Sequence, residues 1–176
     1  GGRLELHFLN TGSAGAAFQV QDRNRPAEPP RRYTVEAGKS LQDSWAITDG
    51  GDYHLQVRGP NGFQRIFRGN RVMAAQMSVR ARHRRSDGAV EIRIVNDGVE
   101  TMRVRMEDGY ARTSRELTVQ PNRVLIERIA VADSGHWYDI GIEIAACQWQ
   151  LHGHVETGAI SISDPAIEAS AQRSRV

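Results

Sequence analysis

The chain has 176 residues, a formal net charge of +2 and a single cysteine, Cys147. One thiol excludes an internal disulfide and a multi-thiolate zinc site, and no apolar run approaches the length of a membrane-spanning helix. The length suits one large domain or two small ones, and the acidic residues nearly balance 22 Arg and one Lys, so the arginine excess reads as compositional bias rather than as phosphate recognition.

Taken in order, the chain opens Gly1-Gly2 with no recognisable leader, which predicts a processed piece of a longer polypeptide. Leu4, Leu6 and Phe8 then alternate with Glu5 and His7, the period of a half-buried strand. Asn10-Thr11-Gly12 is turn chemistry. Asp22 to Arg32, with three Pro and four Arg, reads as a mobile loop. Asp49-Gly50-Gly51 turns into Tyr53-His54-Leu55 and Val57, and Gly59-Pro60-Asn61-Gly62-Phe63 forms a hairpin tip before Arg65, Phe67, Arg68 and Gly69. Residues 71–76 read as a linker. Met77 to Arg82 predicts a strand that turns through Ser86-Asp87-Gly88 into Val90, Ile92 and Ile94. Met102, Val104 and Met106 alternate next, followed by Tyr138, Ile140, Ile142 and Ile144. No window gives a helical stripe.

The chain also repeats itself. Leu4-Glu5-Leu6-His7-Phe8-Leu9-Asn10-x-Gly12 returns as Val90-Glu91-Ile92-Arg93-Ile94-Val95-Asn96-x-Gly98, Tyr33-Thr34-Val35 as Leu117-Thr118-Val119, Tyr53 as Tyr138, and Phe67-Arg68-Gly69 as Leu151-His152-Gly153, at spacings of 84 to 86 residues. That period is too long for a solenoid unit and fits a small domain used twice. The predicted fold is all-β, two tandem small β-sandwiches of immunoglobulin-like Greek-key type, over 1–72 and 75–158, with a loose tail over 159–176. Tyr53 and Tyr138 are expected to be buried with their hydroxyls bonded to backbone, as in a tyrosine corner. The strand at Met77 has no counterpart ahead of Leu4, which predicts an open edge on the first repeat.

Few residues suggest chemistry. His152, His154 and Glu156 alternate as three metal ligands on one strand face would, but no second ligand cluster accompanies them, so an exposed polar face at the end of the last strand is the favoured reading. Cys147 lies within a strand pattern, as a core residue does. No Ser elbow, phosphate loop or paired-carboxylate site is present, so no catalytic, cofactor-binding or metal residue is assigned. Two sets remain as lipid or partner contacts. One is the hairpin tip with Phe63, Arg65 and Arg68, and the other is the strand pair Arg80 and Arg82. Nucleic acid is not an expected partner, since no aromatics interleave with the basic residues.

The residues Leu6-His7-Phe8-x-Asn10-x-Gly12, Tyr53-His54-Leu55-x-Val57-x-Gly59-Pro60-Asn61-Gly62-Phe63-x-Arg65-x-Phe67-x-Gly69 and Gly153-His154-Val155-Glu156-Thr157-Gly158 together resemble the C-terminal part of the bacterial phosphocholine-preferring phospholipase C family. The second repeat departs from that pattern at Ala145-Ala146-Cys147-Gln148, where the Gly-Pro-Asn-Gly turn is missing. The resemblance implies a secreted or periplasmic accessory module, without cofactor, joined to a catalytic domain that hydrolyses phosphatidylcholine or sphingomyelin. It carries none of that domain's catalytic residues. The alternative is an independent glycan-binding or adhesive β-sandwich, for which Trp45, Trp137 and Trp149 are the available aromatics.

Overall fold

The computed structural model describes residues 2–158, 160 and 162–165. Six strands make the first half: β1 (Arg3–Leu9), β2 (Ala16–Asp22), β3 (Arg31–Val35), β4 (Ser40–Ala46), β5 (Asp52–Arg58) and β6 (Gln64–Asn70). A single helical turn, α1 (Arg71–Ala74), begins at Asn70, whose side chain accepts from the Val72 amide. Seven strands follow: β7 (Met77–Arg84), β8 (Ala89–Asn96), β9 (Met102–Asp108), β10 (Thr113–Val119), β11 (Arg123–Ala130), β12 (Trp137–Ile144) and β13 (Cys147–His154).

The pairings recur. In the first half β1 pairs with β4, β2 with β3, β2 with β5, and β5 with β6. In the second half β8 pairs with β11, β9 with β10, β9 with β12, and β12 with β13. All are antiparallel, and each half stacks two sheets over an apolar interior. β7 is the one strand among those described without a first-half counterpart. It pairs with β8 from Met77 opposite Asn96 to Arg84 opposite Ala89.

The halves are not separate beads. β6 and β13 pair antiparallel, so one eight-stranded sheet runs β10-β9-β12-β13-β6-β5-β2-β3 through both. At this seam Ile66 faces Gln150. With Gly69 recurring at Gly153, a spacing of 84, Ile66 and Gln150 are also repeat equivalents. The seam is therefore built around a local two-fold axis, as the contact of a symmetric dimer would be. Each half would otherwise present an unpaired edge there, and pairing the two edges removes both.

Phe8, Val20, Val35, Trp45, Leu55 and Val57 form the first core, and the second, larger core centres on Ile92, Ile94, Met106, Tyr138, Ile140 and Ile142. Phe67 packs against both. The Asn-x-Gly turns close each sandwich in the same way. Asn10 Nδ2 donates to the carbonyls of Ala14 (2.8 Å) and Val35 (2.9 Å), while its Oδ1 accepts from the Gly12 amide (2.9 Å). Asn96 repeats this with Glu100 (2.7 Å), Val119 (2.9 Å) and Gly98 (2.9 Å).

Two expectations need correction. Tyr53 and Tyr138 are buried, but not as tyrosine corners. Each lies directly across a strand pair from a glycine, Tyr53 from Gly69 and Tyr138 from Gly153. A Cβ at Gly69 would stand 2.9 Å from the Tyr53 hydroxyl, and one at Gly153 2.8 Å from that of Tyr138. The glycines of the two repeats thus leave room for a ring laid over the neighbouring strand, and the hydroxyls turn to side chains instead of backbone. The second correction concerns the tail. Two of its described residues are anchored, since the Ile162 carbonyl accepts from the Trp137 indole (2.9 Å) and Asp164 accepts from the Tyr110 hydroxyl (2.5 Å), while Ile160 is fully exposed. Residues 159, 161 and 166–176 lie outside the described set.

Candidate functional site

The inner end of the seam carries a polar cluster made by both halves. Arg65 on β6 donates through Nη1 to the carbonyls of Gln64 (2.7 Å) and His152 (2.8 Å), and through Nη2 to the Tyr138 hydroxyl (2.7 Å). His83 Nε2, from β7, lies 2.8 Å from the same hydroxyl. Arginine has only donors, so the tyrosine oxygen accepts from Arg65 and its own proton goes to a neutral His83. Burial first, then the Arg65 charge, lowers the His83 pKa to about 4.

This depressed value has a direct consequence. A neutral His83 is compatible with the fold above its ordinary pKa, and its protonation is resisted by burial, so stability should fall as pH drops from 6.5 through about 4. A shift of that size corresponds to about 3 kcal/mol, and the ring's partial contact with water reduces the expected loss to about 2 kcal/mol. Urea denaturation from pH 7 to 4 should show this loss in the unsubstituted chain and a flatter profile in His83→Gln. An equal slope in both would remove His83 as its source.

Next to the cluster, on the outer side of β1, an apolar cleft of about 430 Å³ opens between the sheets of the first half. Leu6, Phe8, Phe18, Val57, Phe63 and Phe67 line it, and Arg65 and His7 stand among them. Phe63 is half-buried, edge-on to Phe18 with ring centres 5.8 Å apart, and the Arg65 guanidinium lies 4.3 Å over its ring. Phe63 and Arg65 are therefore brought together, but as a packed pair and not as an exposed tip.

The other sequence-expected contacts lie elsewhere. Arg68 is exposed on the outer face of the eight-stranded sheet, beside His54 and Gln148. Arg80 and Arg82 are exposed on the outer face of the three-stranded sheet β11-β8-β7. Arg80 stands opposite Arg93, and Arg93 opposite Ile126. Ile126 is 56% exposed and Val124 45%. Among the described residues Arg80, Arg82 and Arg93 form no ion pair. This face combines cations with exposed aliphatic side chains. Reading by motif passes over Ile126 and Val124 because β11 does not alternate cleanly in sequence.

His152 and His154 are not arranged for metal. His152 Nδ1 is 2.9 Å from the Gly62 carbonyl, and its Nε2 is 3.2 Å from Asp164. His154 Nδ1 is 3.1 Å from Glu156 and its Nε2 3.1 Å from the Gly135 carbonyl. Both rings thus have protein partners at each nitrogen, and no cluster of three ligands occurs among the described residues. Cys147 is buried at the seam, with its thiol against the Tyr53 hydroxyl. Trp45 and Trp149 are buried, and Trp137 is half-buried with its indole nitrogen occupied by Ile162. None of the three offers the open aromatic platform that a glycan site would use.

Comparison with known proteins gives a consistent answer. Residues 1–70 match the family model described as bacterial phospholipase C, C-terminal domain. The chain is 37% identical to a non-hemolytic phospholipase C of Pseudomonas aeruginosa over 95% of its own length and 26% of the relative's. It is 38% identical to the non-hemolytic phospholipase C of Burkholderia pseudomallei over 94% of its length and 25% of the relative's. A hemolytic phospholipase C of Pseudomonas aeruginosa matches at 34% over 91% of the chain and 25% of the relative. The chain thus spans about a quarter of the length of the curated relatives it matches. It is similar to the bacterial phospholipases C through their C-terminal part, and its first 70 residues match the model of that family's C-terminal domain.

Proposed function

We propose that the chain serves a secreted or periplasmic bacterial phospholipase C as a non-catalytic accessory module. It supports the catalytic domain of the parent polypeptide, which acts on phosphatidylcholine or sphingomyelin, and it meets the phospholipid surface itself. The observation that carries this reading is the extent of the match, which takes in nearly the whole chain but only a quarter of each full-length phospholipase. A rigid scaffold suits such a role, since one continuous sheet ties the two halves into a single body.

For lipid contact the β11-β8-β7 face is favoured over the hairpin tip. Phe63 and Arg65 are engaged within the protein, whereas Arg80 and Arg93, beside Ile126, and Arg82, opposite Glu91, are exposed and form no ion pair among the described residues. Each arginine near an anionic surface contributes about 1 kcal/mol, so binding should be weak and salt-sensitive. Arg80→Glu should weaken co-sedimentation with phosphatidylcholine–phosphatidylserine vesicles by about tenfold. The same change relieves the Arg80–Arg93 repulsion and should raise stability by about 0.5 kcal/mol. Reduced binding in a more stable protein separates lost contact from lost folding, and unchanged binding would move the lipid surface elsewhere. In the same preparations the chain alone should release no phosphocholine from phosphatidylcholine or sphingomyelin. Turnover that survives repurification would overturn the accessory reading.

A further inference from the structure

The two halves differ in one respect that predicts a partner for β1. Asn10 N–H donates to the Lys39 carbonyl (3.0 Å), and the Gly2 carbonyl accepts from Ile47 N–H (3.2 Å). The even-numbered residues of β1 therefore turn their backbone groups to β4, and Arg3, Glu5, His7 and Leu9 turn theirs outward. In the second half Asp97 N–H donates to the Gln76 carbonyl (2.8 Å), so the odd-numbered residues of β8, the equivalents of these four, face β7. Met77 of β7 is buried in the second core, and Val79 and Ala81 pack against it. The corresponding space beside β1 is the apolar cleft of about 430 Å³. The flank is open at the surface too. Leu9 is 67% exposed, while its equivalent Val95 is half-buried between Ser78 and Val124.

We infer that β1 is completed by an added antiparallel strand, and that the occupant is the segment of the parent polypeptide directly upstream of residue 1. The second half supplies the template. β7 reaches β8 through a turn containing Gly88, and at the spacing of 86 that relates β8 to β1 the residue equivalent to Gly88 is Gly2. A hairpin entering β1 at Gly2 would place alternate residues opposite Leu4, Leu6 and Phe8, with apolar side chains pointing into the cleft as Val79 and Ala81 do in the second half. The join between the module and the rest of the enzyme is then part of the fold and not a free linker. The inference rests on the chain being joined to a longer polypeptide and not on any contact with lipid.

Amide hydrogen exchange tests it, comparing the chain with a version extended by the ten residues that precede it in the parent. In the chain alone the amides of Glu5, His7 and Leu9 should exchange freely while those of Leu6 and Phe8 are protected. In the extended version Glu5, His7 and Leu9 should slow by about 100-fold or more. Two prolines placed within the added segment should abolish that gain while leaving Leu6 and Phe8 protected. No added protection in the extended version would overturn the inference. So would protection in the chain alone that rises with protein concentration, which assigns the edge to a second copy, or that appears only with phosphatidylcholine vesicles, which assigns the cleft to lipid. Unchanged lipid binding alongside a protected β1 would leave the added strand standing and bear only on the proposed membrane face.

Discussion

Asn96→Leu should lower the stability of the chain by about 4 kcal/mol, the larger of the two turn asparagine effects. Asn96 is fully buried, and three of its four side-chain hydrogen-bonding positions, both donors among them, are used within the turn. Leucine has nearly the same shape, so little packing is lost. What remains is two carbonyls, of Glu100 and Val119, and the Gly98 amide without their partner. Each buried backbone group left unmet costs about 1 to 3 kcal/mol, and the sum is reduced by local rearrangement and water entry. For a chain of this size that loss lowers the melting temperature by about 10 °C. Asn96→Asp keeps the acceptor for Gly98 but sets a carboxylate against two carbonyls, so it should be no better than leucine. Asn10→Leu should cost less, because Asn10 is 7% exposed and water can replace part of what is lost. Calorimetry on the three variants checks the order. A loss below about 1 kcal/mol for Asn96→Leu would show that the turn is held by its backbone alone.

The same residues show where the sequence was readable. Asn-x-Gly announces a turn in either repeat, because Asn and Gly are the residues that turn geometry favours. Strands β1, β8, β9 and β12 alternate along most of their length, since one face of each is buried in a core and the other is more exposed. β4 does not announce itself. Its run Ser40-Leu41-Gln42-Asp43-Ser44-Trp45-Ala46 buries only Trp45, and Asp43 accepts from Tyr33 and Arg31 at the sheet margin. An edge strand with polar partners leaves no periodic trace. The glycines of Phe67-Arg68-Gly69 and Leu151-His152-Gly153 are visible as a repeat, but their cause is a tyrosine on a neighbouring strand. Spacing within one strand cannot reveal that.

Arg65 shows the same limit at the candidate site. In the sequence it sits beside Phe63 near a hairpin tip, and membrane contact is a natural reading. In the structure it turns inward, because residues 65, 67 and 69 of β6 share the core-facing side while Ile66 and Arg68 face out. Its partners Tyr138 and His152 lie 73 and 87 residues away. They come within reach only because β13 pairs with β6, an event that no local pattern encodes.

That pairing is the second place where a single substitution should have a large effect. Val155 N–H donates to the His136 carbonyl (2.9 Å), so the odd-numbered residues of β13 bond to β12 and the even-numbered ones to β6. Arg71 N–H donates to the Gly51 carbonyl (2.9 Å), which by the same alternation turns Gln64, Ile66 and Arg68 toward β13. Ile66 and Gln150 therefore exchange their backbone bonds at the centre of the local two-fold axis. Gln150→Pro removes the donor at that point and forces a ring into a strand paired on both sides, at a cost of about 3 kcal/mol or more. The damage should be directional. The β12–β13 hairpin keeps its bonds, because they belong to Trp149, Leu151 and Gly153, whereas the seam loses its middle. The two halves should then unfold in two steps, where the unsubstituted chain, tied by one continuous sheet, should unfold in one. Gln150→Val is the control, since it keeps the amide and suits a strand, and it should unfold as the unsubstituted chain does. Loosening the seam also frees Arg65 from the His152 carbonyl and Tyr138 hydroxyl, so the acid sensitivity assigned to His83 should weaken in the proline variant. A single transition at nearly the original temperature would mean that the halves are coupled through Phe67 and the cores, with the β6–β13 ladder contributing little.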